Sequence, residues 1–218
     1  MNKQEDIEKA KRAAGRKAAE LVKSGMSIGL GTGSTVFYFL EALAERKTRI
    51  AGLPSSLKTI EIAKKFGIPL IEETKSLDLT VDGADEIDPK NQMIKGGGGA
   101  LLREKICAAM SKNVIIVIDS SKRVEKLGKF PLPIEISSFS FPATLNHLTV
   151  KGFQPVLRKG KTDNGNLIVD LQNLYPIENP ELLDQELKKI VGVLDTGLFF
   201  DLARSVIVGY PDGKTETV

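Results

Sequence analysis

LTVDGADEIDPKNQMIKGGGGALLREK, residues 79–105, decides how this chain is read. It opens as an apolar run and breaks into an acidic cluster: Asp82, Asp85, Glu86 and Asp88. Lys95 comes next, then four consecutive glycines, Gly96 to Gly99, and a helix-like segment carrying Glu104. A run of glycines costs backbone entropy on folding. The usual gain is close approach of backbone N–H groups to a ligand, often an anion at a helix start. Two aspartates at a strand end, a lysine before the glycines and a carboxylate one turn into the helix are parts for proton-transfer chemistry. Asp82 and Asp85 flank Gly83 and Ala84, small residues that leave room beside the backbone. Such a pair suits hydrogen bonding to sugar hydroxyls and shuttling of their protons. A solvated turn and a divalent-metal site are the competing readings, although the spacing does not match an EF-hand loop. Glu86 and Asp88 read as surface charges. On a helical wheel of residues 100–110, Leu101, Leu102, Ile106, Ala109 and Met110 share one face and Glu104 lies opposite. That places Glu104 toward solvent or toward a cleft.

Working outward, short apolar runs at 26–30, 48–54, 68–72, 77–82 and 113–119 read as strands. Helices read between them: 5–23, broken at Gly15; one after GTGST with Ser34 or Thr35 as cap; one from Ser55–Ser56 through Phe66; and 99–111. Strands alternating with helices indicate a parallel sheet with right-handed crossovers. GTGST (31–35), PSS (54–56), DGAD (82–85) and DSSK (119–122) each follow a strand directly. In a parallel open sheet such loops gather at the carboxyl edge, where ligands bind. GTGST matches neither the dinucleotide fingerprint nor the P-loop. It reads equally as a tight turn before a capped helix and as a phosphate cradle of backbone N–H groups with the Ser34 and Thr35 hydroxyls.

The pattern changes after LGKFPLP (127–133). Strand, helix (141–151), strand (153–158), Asn-Gly hairpin turn in TDNGN, strand (167–171), helix (179–190) and strand (192–199) follow in the ferredoxin-like order. SVIVG (205–209) reads as a strand returning to the first sheet. The fold class expected is α/β: a Rossmann-like parallel-sheet domain, 1–131 with 205–218, and a smaller ferredoxin-like α+β domain, 132–204, placed at an oligomer interface.

Composition limits the function classes. The 218 residues include 31 Lys+Arg against 28 Asp+Glu, a net charge of +3, scattered rather than striped. That gives no argument for nucleic acid. Cys107 is the single cysteine, so no disulfide forms within the chain, which fits a reducing cytosol. No apolar run reaches membrane-spanning length, and the charged N-terminus lacks a signal-peptide apolar region. His147, the only histidine, falls in the second domain, away from the crevice.

VDGADEID followed by KGGGGALLREK resembles the signature of ribose-5-phosphate isomerase, type A. GLGTGST, the two serines after the second strand, KFPLPIEI, TDNGNLIVDL and TGLF are similar to that family's other blocks, in the same order. Asp195 is a departure, standing outside the catalytic blocks where the family usually has Glu. The resemblance implies an aldose-ketose isomerase interconverting D-ribose 5-phosphate and D-ribulose 5-phosphate through an enediolate, in the non-oxidative pentose phosphate pathway. It implies no metal and no organic cofactor. Glu104 matches the general base that moves a proton between C2 and C1. Asp82 and Asp85 match the residues for ring opening and hydroxyl proton transfer. Lys95 and the N–H groups of Gly96, Gly97 and Gly98 match the stabilisers of the oxyanion. Thr32, Gly33, Ser34, Thr35 and Lys122 match phosphate- and substrate-binding positions, with Gly83 and Ala84 lining the substrate and Lys11 a further candidate for the phosphate. The implied setting is a cytoplasmic homodimer or homotetramer whose partner is a small sugar phosphate, not nucleic acid or membrane. The rivals are a hydrolase or deaminase of sugar phosphates on a related fold, and a sugar-phosphate sensor without catalysis. A sensor would have no need of Lys95 and Glu104, and no spare segment could hold a DNA-binding helix-turn-helix.

Overall fold

The structure, a computed structural model, describes residues 3–218. In chain order it runs α1 (Lys3–Glu20), β1 (Ser27–Leu30), α2 (Ser34–Glu45), β2 (Ala51–Pro54), α3 (Leu57–Lys65), β3 (Leu79–Asp82), β4 (Glu86–Ile87), β5 (Met93–Ile94), α4 (Leu101–Ala109) and β6 (Val114–Asp119). A 3-10 turn, Ser120–Lys122, follows. Then come β7 (Leu132–Ile136), α5 (Phe141–Val150), β8 (Pro155–Leu157), β9 (Leu167–Leu171), α6 (Pro180–Lys188), β10 (Val193–Thr196), β11 (Leu198–Phe199), β12 (Ser205–Gly209) and β13 (Thr215–Thr217). The chain forms two compact units, Met1–Ala84 with Arg103–Lys122 and Leu202–Val218, and Asp85–Leu102 with Arg123–Asp201.

In the first unit a sheet of order β13-β12-β6-β3-β1-β2 is parallel throughout except for β13. Every residue of β6, VIIVID, is buried. A strand covered on both faces loses the polar alternation of a half-exposed one, and the sequence shows that loss. SVIVG does return to this sheet, beside β6. The expected strand at 68–72 shrinks to one bridge between Gly52 and Leu70. Gly15 does not interrupt α1. A Cβ there would lie 2.6 Å from the Phe39 nitrogen, so its bareness lets α1 lie against α2. The helix cap also differs from expectation. Ser34 and Thr35 lie inside α2, and Gly33 holds the cap position with no side-chain hydrogen bond. Ser56 caps α3, its Oγ accepting from the Thr59 N–H at 3.1 Å. Ile28, Leu30, Phe39, Leu40, Leu43 and Val81 anchor the core, each burial contributing about 2 kcal/mol.

In the second unit the sheet order is β10-β7-β9-β8, with neighbours antiparallel. That is strand, helix, strand, strand, helix, strand with the first and third strands central, the ferredoxin-like arrangement. Ile134, Ile136, Val169 and Leu171 share its core with Leu148 of α5 and Leu187 of α6. The Asn179 side chain caps α6, accepting from the Leu182 N–H at 3.0 Å. The strand expected over 192–199 divides at Gly197. Its second part, β11, joins a separate small sheet with β5 and β4. Residues 85–102 therefore group with the second unit, although the expected boundary put them in the first. Glu86 is not a surface charge either. It is buried, and its two oxygens accept from the Gly128 and Phe130 N–H groups, both at 2.7 Å.

Candidate active site

β1 and β3 are neighbours, yet the chain leaves β1 for β2 on one side and β3 for β6 on the other. Where strand order reverses like this, the following loops part and leave a crevice. The Gly31 N–H donates to the Val81 carbonyl at 3.0 Å. Asp82 Oδ1 accepts from the N–H groups of Thr32 at 3.0 Å and Gly83 at 2.8 Å. A Cβ on Gly31 would sit 2.2 Å from Asp82 Oδ1, so only glycine allows this approach. Asp82 is thereby held at the end of β3, 2% exposed.

The Thr32 hydroxyl turns inward, meeting Ser55 Oγ at 3.0 Å, Ser56 Oγ at 2.8 Å and Thr59 Oγ1 at 3.3 Å. Thr59 in turn donates to the Gly31 carbonyl at 2.8 Å. Thr32 thus anchors the loop, while Gly33 and Ser34 are exposed and Thr35 is buried. α2 begins here with no side-chain cap. The first-turn N–H groups of a helix lack intrahelical acceptors and attract anions. A cavity of about 250 Å³ adjoins them, lined by Gly31 to Ser34 with Glu8, Tyr38 and Lys58. The Tyr38 hydroxyl donates to Glu8 at 2.5 Å. That bond holds Glu8 below the usual carboxylate range and pushes the Tyr38 phenol up. Lys11 pairs with Glu8 at 3.0 Å.

Glu104 reverses the wheel. It is 3% exposed, whereas Ile106 is 54% exposed. The buried face of α4 is Leu101, Glu104, Cys107 and Ala108, so a carboxylate stands within it. Burial first, then the charges of Asp82 and Glu104, push the Cys107 thiol up to about 12. Lys122 ends the turn after β6, whose last residue, Asp119, accepts from the Ser121 N–H at 3.1 Å.

In the second unit Asp85 Oδ2 accepts from the Gly97 N–H at 2.7 Å. The Gly96 carbonyl closes the turn by accepting from the Gly99 N–H at 2.9 Å. Lys95 is 3% exposed, its backbone N–H donating to Gly197 at 2.8 Å and its Nζ lying 5.3 Å from the centre of the Phe199 ring. A desolvated ammonium over an aromatic face keeps a strong field for a nearby anion. The unit boundaries fall between Ala84 and Asp85, Leu102 and Arg103, Lys122 and Arg123, and Asp201 and Leu202. In the first unit the sequence reading missed the cluster of Ser55, Ser56 and Thr59 and the placement of Lys58. In the second it missed Arg158, which binds the glycine turn. Only the PSS loop gave a signal. Among the described residues no group of three or more His, Cys, Asp or Glu could hold a metal ion. No described helix is long and apolar enough to cross a membrane.

The family model of ribose 5-phosphate isomerase A (phosphoriboisomerase A) matches residues 51–213. A ribose-5-phosphate isomerase A of Protochlamydia amoebophila is 50% identical over 221 residues, 96% of this chain and 95% of that protein. The crystal structure of ribose 5 phosphate isomerase A from Neisseria gonorrhoeae is 40% identical, with a TM-score of 0.91 over 97% of this chain and 96% of that one. A D-ribose-5-phosphate isomerase solved in complex with phospho-erythronic acid is 35% identical, with a TM-score of 0.91 over 100% of this chain and 99% of that one.

Proposed function

Because the chain belongs to the ribose 5-phosphate isomerase A family and interconverts D-ribose 5-phosphate and D-ribulose 5-phosphate, we propose that it does so through an enediolate with Glu104 as the base. Glu104 takes the proton from C2 of the open-chain aldose. The electron pair moves into the C1–C2 bond and the carbonyl becomes an oxyanion. The Lys95 ammonium and the N–H groups of Gly96 and Gly98 stabilise that charge as it grows, while the Gly97 N–H is taken by Asp85. Asp82 and Asp85 carry protons between the hydroxyl oxygens, first in ring opening and then across O1 and O2. Protonated Glu104 returns its proton to C1 and the ketose forms. The start of α2, with Gly33, Ser34 and Thr35, and Lys122 hold the phosphate, whose binding energy fixes the reacting carbons.

The burial of Glu104 on an otherwise apolar helix face carries this reading. Burying a carboxylate costs stability, and functional sites are where a fold keeps such a cost. Purified protein incubated with ribose 5-phosphate is expected to release ketose, and to keep doing so after exhaustive chelation. No ketose would overturn the activity. Loss on chelation with rescue by a divalent cation would overturn the roles of Asp82 and Asp85. A phosphorylated sugar acid such as phospho-erythronic acid carries an anionic carboxylate that resembles the charged enediolate. It is expected to compete with the substrate and to bind more tightly.

The same reading extends to a cytoplasmic homodimer or homotetramer. The second unit supports it by exposing Phe139, Val150 and Val191, which are 87%, 77% and 85% exposed. Light scattering tests it, and a monomer mass at all concentrations would refute it.

A further inference from the structure

We propose that Arg158 is a positioning residue for the isomerisation, acting through the carbonyls of Gly96 and Gly97 to keep the Gly97 N–H on Asp85. The proposal rests on the role given above to Asp85 and the glycine turn. Arg158 follows β8 directly, opposite Ile168, and Asp170, which pairs with Val156, stands two residues along β9 on the same face. Their pairing is bidentate: Nε and Nη2 donate to Asp170 Oδ2 and Oδ1, both at 2.6 Å. The remaining nitrogen, Nη1, donates to the Gly96 carbonyl at 2.9 Å and to the Gly97 carbonyl at 3.1 Å. The planar guanidinium fork, locked along one edge by a strand-borne carboxylate, thus presents a fixed donor to two successive carbonyls.

A trans peptide points its C=O and the next N–H in opposite directions. Holding the Gly96 carbonyl therefore aims the Gly97 N–H, which donates to Asp85 at 2.7 Å. Holding the Gly97 carbonyl turns the Gly98 N–H away from Arg158 in the same manner. Glycine peptide planes rotate at little cost. Side chains cannot pack the turn into place, and the space beside Gly97 is filled by Asp85 itself, 2.5 Å from where a Cβ would stand. An external clamp on the carbonyls supplies the preorganisation that donors to a developing charge need.

Arg158→Ala is expected to lower kcat by about 10- to 100-fold, the usual cost of a misplaced catalytic group. KM for ribose 5-phosphate should stay within about twofold, because the phosphate-binding residues are untouched. Millimolar guanidinium ion should restore part of the lost rate in Arg158→Ala. Arg158→Lys keeps the charge and guards against simple misfolding, yet it cannot bridge Asp170 and two carbonyls, so it should also be slow. In an Asp85→Ala background the Arg158→Ala substitution should cost much less than alone. Additive losses, a full-rate folded Arg158→Ala, or a loss confined to KM would each overturn the proposal. One readout is independent of turnover. In glycine-labelled protein the Gly97 amide proton resonance should move upfield in Arg158→Ala as its bond to Asp85 loosens, and an unmoved resonance would also overturn the proposal. If wild type failed to isomerise while that resonance moved, the assigned activity would fall and the clamp on the turn would stand.

Discussion

Glu104 and Cys107 occupy one buried helix face, and each makes a sharp expectation. Glu104→Gln preserves shape and removes the carboxylate proposed as base, so kcat should fall by about 10³-fold or more with substrate still bound. Near wild-type turnover would transfer the role of base to Asp82 or Asp85. Cys107 has its thiol pushed up to about 12 by burial and by the two nearby carboxylates. Thiolate, not thiol, reacts with alkylating reagents. Iodoacetamide at mildly alkaline pH should leave the native protein unmodified over hours and label it fully in denaturant; rapid native labelling would mean the helix face opens. At this scale the candidate site residues stood out because a glycine run beside paired carboxylates puts backbone donors and proton carriers in one stretch. Their burial did not. A helical wheel sorts by polarity, so it set Ile106 on the core face and left Glu104 to solvent or to a cleft, whereas tertiary packing exposes Ile106 and buries Glu104.

Among elements, two carboxylates tie strand ends together. Asp78, just before β3, accepts from the Ser27 N–H at 3.0 Å, the Ser27 hydroxyl at 3.1 Å and Lys112 at 2.8 Å. Lys112 first, and then Ser27, lower its carboxyl from 3.8 to about 2. A lowered carboxylate contributes stability that is complete above its unfolded value and is lost as pH falls through the folded one. The deficit in Tm of Asp78→Asn relative to wild type should therefore be full near neutrality and shrink between about pH 4 and pH 2. A deficit constant with pH would assign the effect to shape alone. Glu86 is the second tie, and its two backbone donors are charge-assisted and buried. Glu86→Ala should cost about 3 kcal/mol or more in urea unfolding, since both N–H groups lose their acceptor. A cost under about 1 kcal/mol would show that water replaces the carboxylate. The alternation of strands and helices was legible because β6 and β3 are buried throughout and read as unbroken apolar runs. The work of Glu86 was not, since its donors stand 42 and 44 residues away along the chain. Nor was the break at Gly197, where one apolar run serves two sheets.

At the scale of the whole molecule, the first unit is assembled from three segments and the second from two. A fragment of residues 132–204 omits β4, β5 and Glu86, and with them Ile94 of the second core. Expressed alone, it should give a poorly dispersed amide spectrum, whereas a native-like spectrum would restore a boundary at 131. That boundary was drawn where turn residues and composition changed, and composition does not record which segment a short strand pairs with. Gly31, finally, bears on the history open to the gene. Its missing Cβ would overlap the Asp82 carboxylate at 2.2 Å, and shortening residue 82 would remove the carboxylate itself. With Asp82 in the role proposed for it, no ordered series of single codon changes passes through this pair while each intermediate keeps isomerising sugar phosphate. Selection therefore freezes the two positions jointly, and a saturation library should recover neither substitution alone nor a compensated double.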